Sequence, residues 1–218
     1  MDIGKIYDLI ANEYENNYSD ERVGEIVEAE NNYIKEVMPY QDGTILDCGS
    51  GTGLLIDLLG IKQNLYTGID ESKNMMQIAK KKYPQHKFLR GDVFKHKGLY
   101  DCVVSLFSVP DYCGIDIIKK SYDLLNEKGL FVSTFINADG AYKKIHCIEE
   151  LGVDYEPHRF TYAQIKSELD KNKFSWYYIL SICNIETCTD VQEMTNYLLN
   201  NKHNLKKAKY FFVMGQKI

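Results

Sequence analysis

The segment TILDCGSGTGLL, residues 44–55, joins a short apolar run to three glycines at alternate positions, Gly49, Gly51 and Gly53. The apolar run is typical of a buried strand, and the leucines after the glycines are typical of a helix start. Glycines in such a turn allow a ligand to lie against bare backbone at the helix N-terminus. The dinucleotide fingerprint GxGxxG would need its third glycine where Leu54 stands. The segment therefore predicts a ligand-binding turn and argues against a pyrophosphate binder.

Two aspartates follow at the ends of the next two predicted strands. Asp70 ends the run YTGID, and Asp92 stands in GDVF. A carboxylate at Asp70 can accept two hydrogen bonds from a ribose diol. One at Asp92 can accept from an adenine amino group, with Val93 and Phe94 covering the ring. Because the carboxyl ends of parallel strands meet at one edge of a sheet, the series predicts an adenosine site.

Short apolar runs alternate with helical patterns from residue 44 onward, which indicates βαβ units. We predict five strands at 44–48, 65–69, 87–89, 101–107 and 130–135. We predict helices at 72–83, with Ser72 as N-cap, and at 115–126, 161–172 and 191–200. Two β-rich segments, 174–185 and 208–217, complete the pattern. The expected fold class is α/β: a doubly wound, seven-stranded, mostly parallel sheet with a C-terminal antiparallel edge hairpin.

Composition limits the classes of partner. The 218 residues carry 26 basic and 31 acidic side chains, a net charge of −5, which argues against a nucleic-acid clamp. No apolar run reaches the length of a membrane span and the start lacks the features of a signal peptide, so we expect a cytoplasmic protein without membrane partners. The six cysteines never form a CxxC pair, so we expect reduced, buried thiols and no metal site.

At these residues the chain resembles the class I S-adenosylmethionine-dependent methyltransferases, closely over residues 7–136. The resemblance implies S-adenosyl-L-methionine as cofactor, S-adenosyl-L-homocysteine as product, and a Rossmann-like sheet. It implies that Gly49 and Gly51 lie against the methionine part, that Asp70 binds the ribose, and that Asp92 and Val93 bind adenine. The full set of cofactor contacts that it implies is Tyr14, Asp47, Gly49, Ser50, Gly51, Asp70, Glu71, Met75, Asp92, Val93 and Leu106.

The N-terminal run IYDLIANEYENNYSD is similar to the lid helix of small-molecule members of this superfamily. In such relatives a tyrosine at the position of Tyr14 contacts the methionine carboxylate. The same resemblance implies that Tyr18, Phe107 and Tyr112 face the acceptor substrate. We therefore expect a single domain, residues 1–218, in which 1–43 form lid helices and 44–136 the cofactor-binding core. Residues 137–218 would supply the substrate-side connection and the C-terminal strands.

Methyl transfer from a sulfonium is an in-line displacement in which proximity and alignment supply most of the rate. An amine or hydroxyl acceptor can require a base, and the candidates are His146, His158 and Asp111. The run SVPDY after the fourth strand lacks the NPPY or DPPY sequence of enzymes that methylate nucleic-acid bases or protein glutamine. A small-molecule N- or O-acceptor is therefore favoured. The alternatives are methylation of tRNA or protein, a non-catalytic S-adenosylmethionine-binding module, and a nicotinamide-dependent oxidoreductase, which Leu54 disfavours. The oligomeric state stays open.

Overall fold

The computed structural model describes residues 3–12, 14, 21–38, 43–140, 146–148 and 153–218, without the side chains at 3, 22, 146–148 and 153–155. The helices are α1 (Ile3–Ile10), α2 (Glu21–Val37), α3 (Leu54–Leu59), α4 (Lys73–Lys82), α5 (Val109–Cys113), α6 (Ile117–Leu124), α7 (Tyr162–Lys171) and α8 (Val191–Asn201). The strands are β1 (Ile45–Cys48), β2 (Tyr66–Asp70), β3 (Lys87–Arg90), β4 (Tyr100–Ser105), β5 (Leu125–Ile136), β6 (His146–Ile148), β7 (Val153–Tyr155), β8 (Trp176–Cys183) and β9 (Ala208–Gln216).

Seven strands form one sheet in the order β3-β2-β1-β4-β5-β9-β8. Strands β1 to β5 are parallel to one another, whereas β9 runs antiparallel to both β5 and β8. The predicted fold class is thereby confirmed. The strand order reverses between β1 and β4, and the carboxyl ends of strands beside such a switch point form the usual ligand crevice of α/β proteins.

The sheet is covered on both faces. In the central strand β4, the adjacent residues Val103 and Val104 are both fully buried, on opposite faces, as expected for a strand between two layers of helices. Val104 belongs to the core formed with α2, α3, α4 and α8, and Val103 to the core formed with α6 and α7. No helix in the described part of the chain is both long and apolar enough to cross a membrane.

Helix signals in the sequence are confirmed at two N-caps. The Ser72 hydroxyl accepts a hydrogen bond from the Met75 backbone N–H at 3.1 Å, and α4 begins one residue later. Thr161 forms a capping box with Gln164 at the start of α7. Both caps satisfy backbone donors that would otherwise have no partner, which fixes where these helices begin.

Three features differ from the sequence-based expectation. Strand β5 begins at Leu125 because it pairs with β4 there before an irregularity that includes Lys128 at φ 62°. Strands β6 and β7 form a separate two-stranded sheet in what was expected to be a connection, and three residues each are too few to show a period. The Cys113 thiol is exposed, whereas the free thiols at 48, 102, 183 and 188 are buried as expected.

Candidate functional site

The glycine turn after β1 has the backbone conformation that only glycine adopts readily. Gly49, Gly51 and Gly53 have φ angles of 70°, 52° and 86°. A Cβ on Gly49 would stand 2.8 Å from the Cβ of Ser108, so this glycine also allows the loop after β4 to approach. The Ser108 hydroxyl also donates a hydrogen bond to the Cys48 carbonyl at 2.9 Å, which joins the two loops. The two loops on either side of the switch point are therefore in direct contact.

Asp70, at the end of β2, ties the glycine turn to the start of α4. One carboxylate oxygen accepts from the Gly51 backbone N–H at 2.9 Å, and the other accepts from the Ser72 N–H at 2.8 Å. Burial raises the pKa of Asp70, although these two hydrogen bonds act in the opposite direction. The Glu71 backbone N–H also bonds this carboxylate and lowers its pKa. A carboxylate has about four acceptor sites, so capacity remains for a ribose hydroxyl.

Residues after β2 and β3 line the same edge of the sheet. Asp92 accepts a hydrogen bond from the Phe94 backbone N–H at 2.8 Å and pairs with the Lys95 ammonium at 3.3 Å. Its side chain remains 27% exposed. Val93 and Met75 are buried, and Glu71 is exposed. The sequence thus places Asp70 and Asp92 at neighbouring strand ends, as the adenosine prediction requires.

Asp47 is buried near the end of β1. Its side chain is within the sheet, 5% exposed, and its carboxylate accepts a hydrogen bond from the Tyr66 hydroxyl at 2.7 Å. Burial raises the pKa of Asp47 to about 7. This carboxylate therefore supports the end of β1 through β2, and Ser50 in the following turn is likewise buried.

Helix α1 is fixed over this edge by Asp8. The Asp8 carboxylate accepts from the Ser72 hydroxyl at 2.6 Å and from the Asn74 backbone N–H at 2.8 Å. Burial alone would raise the pKa of Asp8, but these hydrogen bonds lower it below its usual value. Asp8 belongs to the tyrosine-rich segment that predicts the lid helix, but the sequence alone assigned it no function. Only its position next to Tyr7 in that segment indicated that it could matter.

Three tyrosines form a connected cluster between α1 and α5. The rings of Tyr7 and Tyr14 have centroids 6.0 Å apart, and those of Tyr7 and Tyr112 are 5.8 Å apart, both edge-on. The hydroxyl groups of Tyr7 and Tyr112 are hydrogen-bonded to each other. We refer to Tyr7, Tyr14 and Tyr112 as the tyrosine cluster. Tyr18, the remaining predicted tyrosine of the lid, lies outside the described residues.

The loop after β4 contains a backbone outlier. Phe107 has φ 49°, a region that residues with a side chain rarely adopt. Its backbone N–H donates to the Thr134 hydroxyl at 2.6 Å, and its ring packs edge-on against Tyr210 at 5.1 Å. Leu106 beside it is half-buried. Strained residues of this kind are concentrated at functional sites, so the outlier marks this loop as a candidate acceptor wall.

Of the three base candidates, Asp111 has the most distinctive environment. Burial raises its pKa to about 7. The Asp111 carbonyl accepts from the His158 backbone N–H at 2.8 Å, which brings both candidates to one place. The His158 side chain is exposed and stacks near Phe160. Strand β6 includes His146, whose side chain lies outside the described residues.

These residues fit an adenosyl ligand. The position that a Cβ would take on Gly51 meets no atom within 4 Å, so the turn presents its backbone to open space. The carboxylates of Asp70 and Asp92 follow on adjacent strands, each with unused acceptor capacity. The chemistry of this set is that of ribose and adenine recognition.

Comparison with known proteins agrees with this chemistry. Residues 45–129 match a family model described as a methyltransferase domain. No curated protein sequence matches the chain.

Three solved structures illustrate the similarity in fold. A S-adenosylmethionine-dependent methyltransferase from Thermotoga maritima, described as a possible histamine N-methyltransferase, is 16% identical with a TM-score of 0.71, covering 98% of this chain and 99% of that one. The magnesium protoporphyrin IX methyltransferase of Synechocystis PCC 6803 with bound S-adenosylhomocysteine is 16% identical with a TM-score of 0.66, covering 99% and 98%. A S-adenosylmethionine-dependent methyltransferase from Mesorhizobium loti is 15% identical with a TM-score of 0.62, covering 87% and 98%. At these identities the likeness establishes the fold.

Replacing Asp47 should change how stability depends on pH. The folded pKa of about 7 stands above the ordinary 3.8, so the folded protein retains a proton that the unfolded chain releases. Wild-type stability should therefore fall as the pH rises through this window, by on the order of 2–4 kcal/mol from this group. Asp47→Asn, which keeps an acceptor for Tyr66, should lack that part of the fall in urea unfolding. The control is Asp123→Asn on the exposed side of α6, and identical pH dependence in wild type and Asp47→Asn would contradict the buried titration.

Proposed function

We propose that the chain is a class I S-adenosylmethionine-dependent methyltransferase and that it transfers the methyl group to nitrogen or oxygen of a small-molecule acceptor. The observation that carries the acceptor proposal is the tyrosine cluster. Helices α1 and α5 bring its rings together beside the loops that follow β1, β2 and β4. Such an aromatic wall suits a compact organic acceptor better than a polyanionic backbone.

The bound donor supplies a methyl group on a positively charged sulfonium, which is transferred by in-line displacement. In our proposal Gly49 and Gly51 lie against its methionine part, Asp70 binds the ribose hydroxyls, and Asp92 with Val93 binds adenine. Tyr14 would reach the methionine carboxylate from the lid. The further proposed contacts are Ser50, Glu71, Met75 and Leu106, with Asp47 supporting the end of β1.

The lid and the loop after β4 would enclose the acceptor. Helix α1 is held on α4 through Asp8, and its Tyr7 meets Tyr112 of α5, so the two elements close over the strand ends. Phe107 forms the opposite wall of the proposed pocket. Its ring packs against Tyr210, and its backbone N–H donates to the Thr134 hydroxyl. Exclusion of water and alignment of the acceptor are the main contributions that the protein makes to such a displacement. In this arrangement residues 1–43 act as the lid, 44–136 as the donor-binding core and 137–218 as the acceptor side of one domain.

Asp111 is our proposed base. A carboxylate with a pKa near 7 can accept a proton from an ammonium or hydroxyl group at neutral pH, whereas an ordinary aspartate is too weak a base. His158 is the second choice because its backbone bonds to that of Asp111 while its side chain is exposed.

Two observations support a small acceptor over RNA or protein. The net charge of −5 disfavours binding to a nucleic-acid backbone. The sequence SVPDY differs from the NPPY or DPPY of enzymes that methylate nucleic-acid bases or protein glutamine. The Thermotoga and Synechocystis proteins are named for histamine and for magnesium protoporphyrin IX, both small molecules.

Loss of the Asp70 carboxylate should weaken donor binding. We expect Asp70→Ala to bind S-adenosylhomocysteine about 1–3 kcal/mol less tightly by isothermal titration calorimetry, because charge-assisted hydrogen bonds are lost. The exposed substitution Asp123→Asn should leave the affinity unchanged. Unaltered affinity in a folded Asp70→Ala protein would exclude the ribose role.

A labelling experiment tests the acceptor class. The protein is incubated with methyl-labelled S-adenosylmethionine and, separately, with a metabolite mixture that includes histamine, with total tRNA and with a protein extract. We expect label only in the metabolite fraction, and less of it with Asp70→Ala at a limiting concentration of the donor. Label confined to tRNA or protein, or to no fraction, would overturn the small-acceptor proposal.

With an acceptor identified, kcat/KM should rise with pH through about 7 and then level off, because Asp111 must lose its proton before it can accept another. Asp111→Asn should be slower by about 10²–10⁴-fold and should lack this rise. Asp116→Asn, at an exposed position five residues on, is the matched control. A pH profile that is the same in wild type and Asp111→Asn would assign the base elsewhere.

A further inference from the structure

The edge strand β8 has an unusual surface for its position. The run FSWYYILSIC, residues 174–183, contains no charged residue and no proline. Trp176 and Tyr178 are 37% and 58% exposed, and their rings stand 5.4 Å apart. Folded proteins normally protect sheet edges with charges, prolines or covering loops, since an open edge pairs with other strands.

The rest of the sheet follows that rule. The opposite edge strand, β3, presents the exposed charged residues Lys87 and Arg90. The second half of β8 is covered as well, because the Ser181 backbone N–H donates to the Lys202 carbonyl at 2.7 Å and the Ser181 hydroxyl donates to the Asn201 carbonyl at 2.6 Å. Only the first half of β8 remains open among the described residues.

Strand geometry fixes what this open half presents. The Ser181 N–H points away from the sheet, so the backbone groups of Ile179 and Tyr177, two and four residues earlier, point the same way. Trp176 and Tyr178 continue the row of Leu180 and Ile182 on one face. Helix α8 covers the last two residues of that row but leaves the two aromatic residues exposed.

We infer that two copies of this chain associate by antiparallel pairing of their β8 strands about a two-fold axis at Tyr177. In this register the Tyr177 backbone groups of the two copies exchange both hydrogen bonds. Trp176 of each copy then lies opposite Tyr178 of the other, on the same face, as a reciprocal pair of cross-strand aromatic contacts.

A second copy fits this edge better than a foreign strand. The open stretch is short and ends at the cover over Ser181, and its exposed aromatic pair is self-complementary about the proposed axis, because each copy places Trp176 opposite Tyr178 of the other. The strand carries no charge that would repel its own copy. Strands β5 and β9 separate β8 from β4 and β1, so the contact reaches neither the glycine turn after β1 nor the tyrosine cluster, which includes Tyr112 of the helix that follows β4.

Sedimentation velocity of the full chain from micromolar to submillimolar concentration tests the association. We expect a concentration-dependent dimer whose dissociation constant increases at least about tenfold in Tyr178→Lys. Leu99→Lys, which alters an exposed leucine before β4, should leave it unchanged. A wild-type protein that stays monomeric, or a dimer unaffected by Tyr178→Lys, would overturn the inference.

A cross-link tests the register separately. In a Cys113→Ser background, Tyr177→Cys should form an intermolecular disulfide on mild oxidation, because residues facing each other in a hydrogen-bonded pair have Cα atoms about 5.5 Å apart. Leu99→Cys in the same background should not cross-link. Failure of Tyr177→Cys to cross-link in a protein that sediments as a dimer would exclude the proposed axis.

Discussion

The carboxylate of Asp70 is the contact on which the arrangement of the site depends. It holds the Gly51 N–H of the turn after β1 and the Ser72 N–H that begins α4. Ser72 in turn donates to Asp8, which fixes α1, and α1 carries Tyr7 to Tyr112. A single side chain at the end of β2 thus connects the proposed donor turn with the lid, and the lid meets the loop after β4. Its hydrogen bonds are charge-assisted and half-buried, conditions in which such bonds are strongest.

The sheet and the placement of Asp70 and Asp92 at neighbouring strand ends could be predicted from sequence because their signals are local. Alternating apolar runs gave the strands, and Asp70 and Asp92 follow directly on two of them. The environment of Asp47 could not be predicted, since the hydroxyl that binds it comes from Tyr66 on another strand. The φ angle of Phe107 could not be predicted either, because it depends on contacts with Thr134 and Tyr210, which are distant in the sequence. Non-local packing decides such details, and a single sequence contains no periodicity that reports it.

The site also contains features that reduce stability. Phe107 is held in a strained backbone conformation, and the pKa values of the Asp47 and Asp111 carboxyl groups are raised to about 7. Each is unfavourable for folding at neutral pH and is tolerated because the surrounding core is large. Their concentration around the loops after β1 and β4 distinguishes this edge of the sheet from the apolar strands that support it.

The position of β9 has a consequence for how the chain reaches its native state. This strand lies between β5 and β8, yet β6, β7, α7, β8 and α8 all separate it from β5 in the chain. During synthesis one edge of β5 therefore has no partner strand until β9 has emerged. The sheet cannot be completed from the N-terminus onward, and pairings between residues so distant in sequence form slowly. Until then β5 is an edge of the sheet, where chaperones or premature association can compete with the last strand for the same hydrogen bonds.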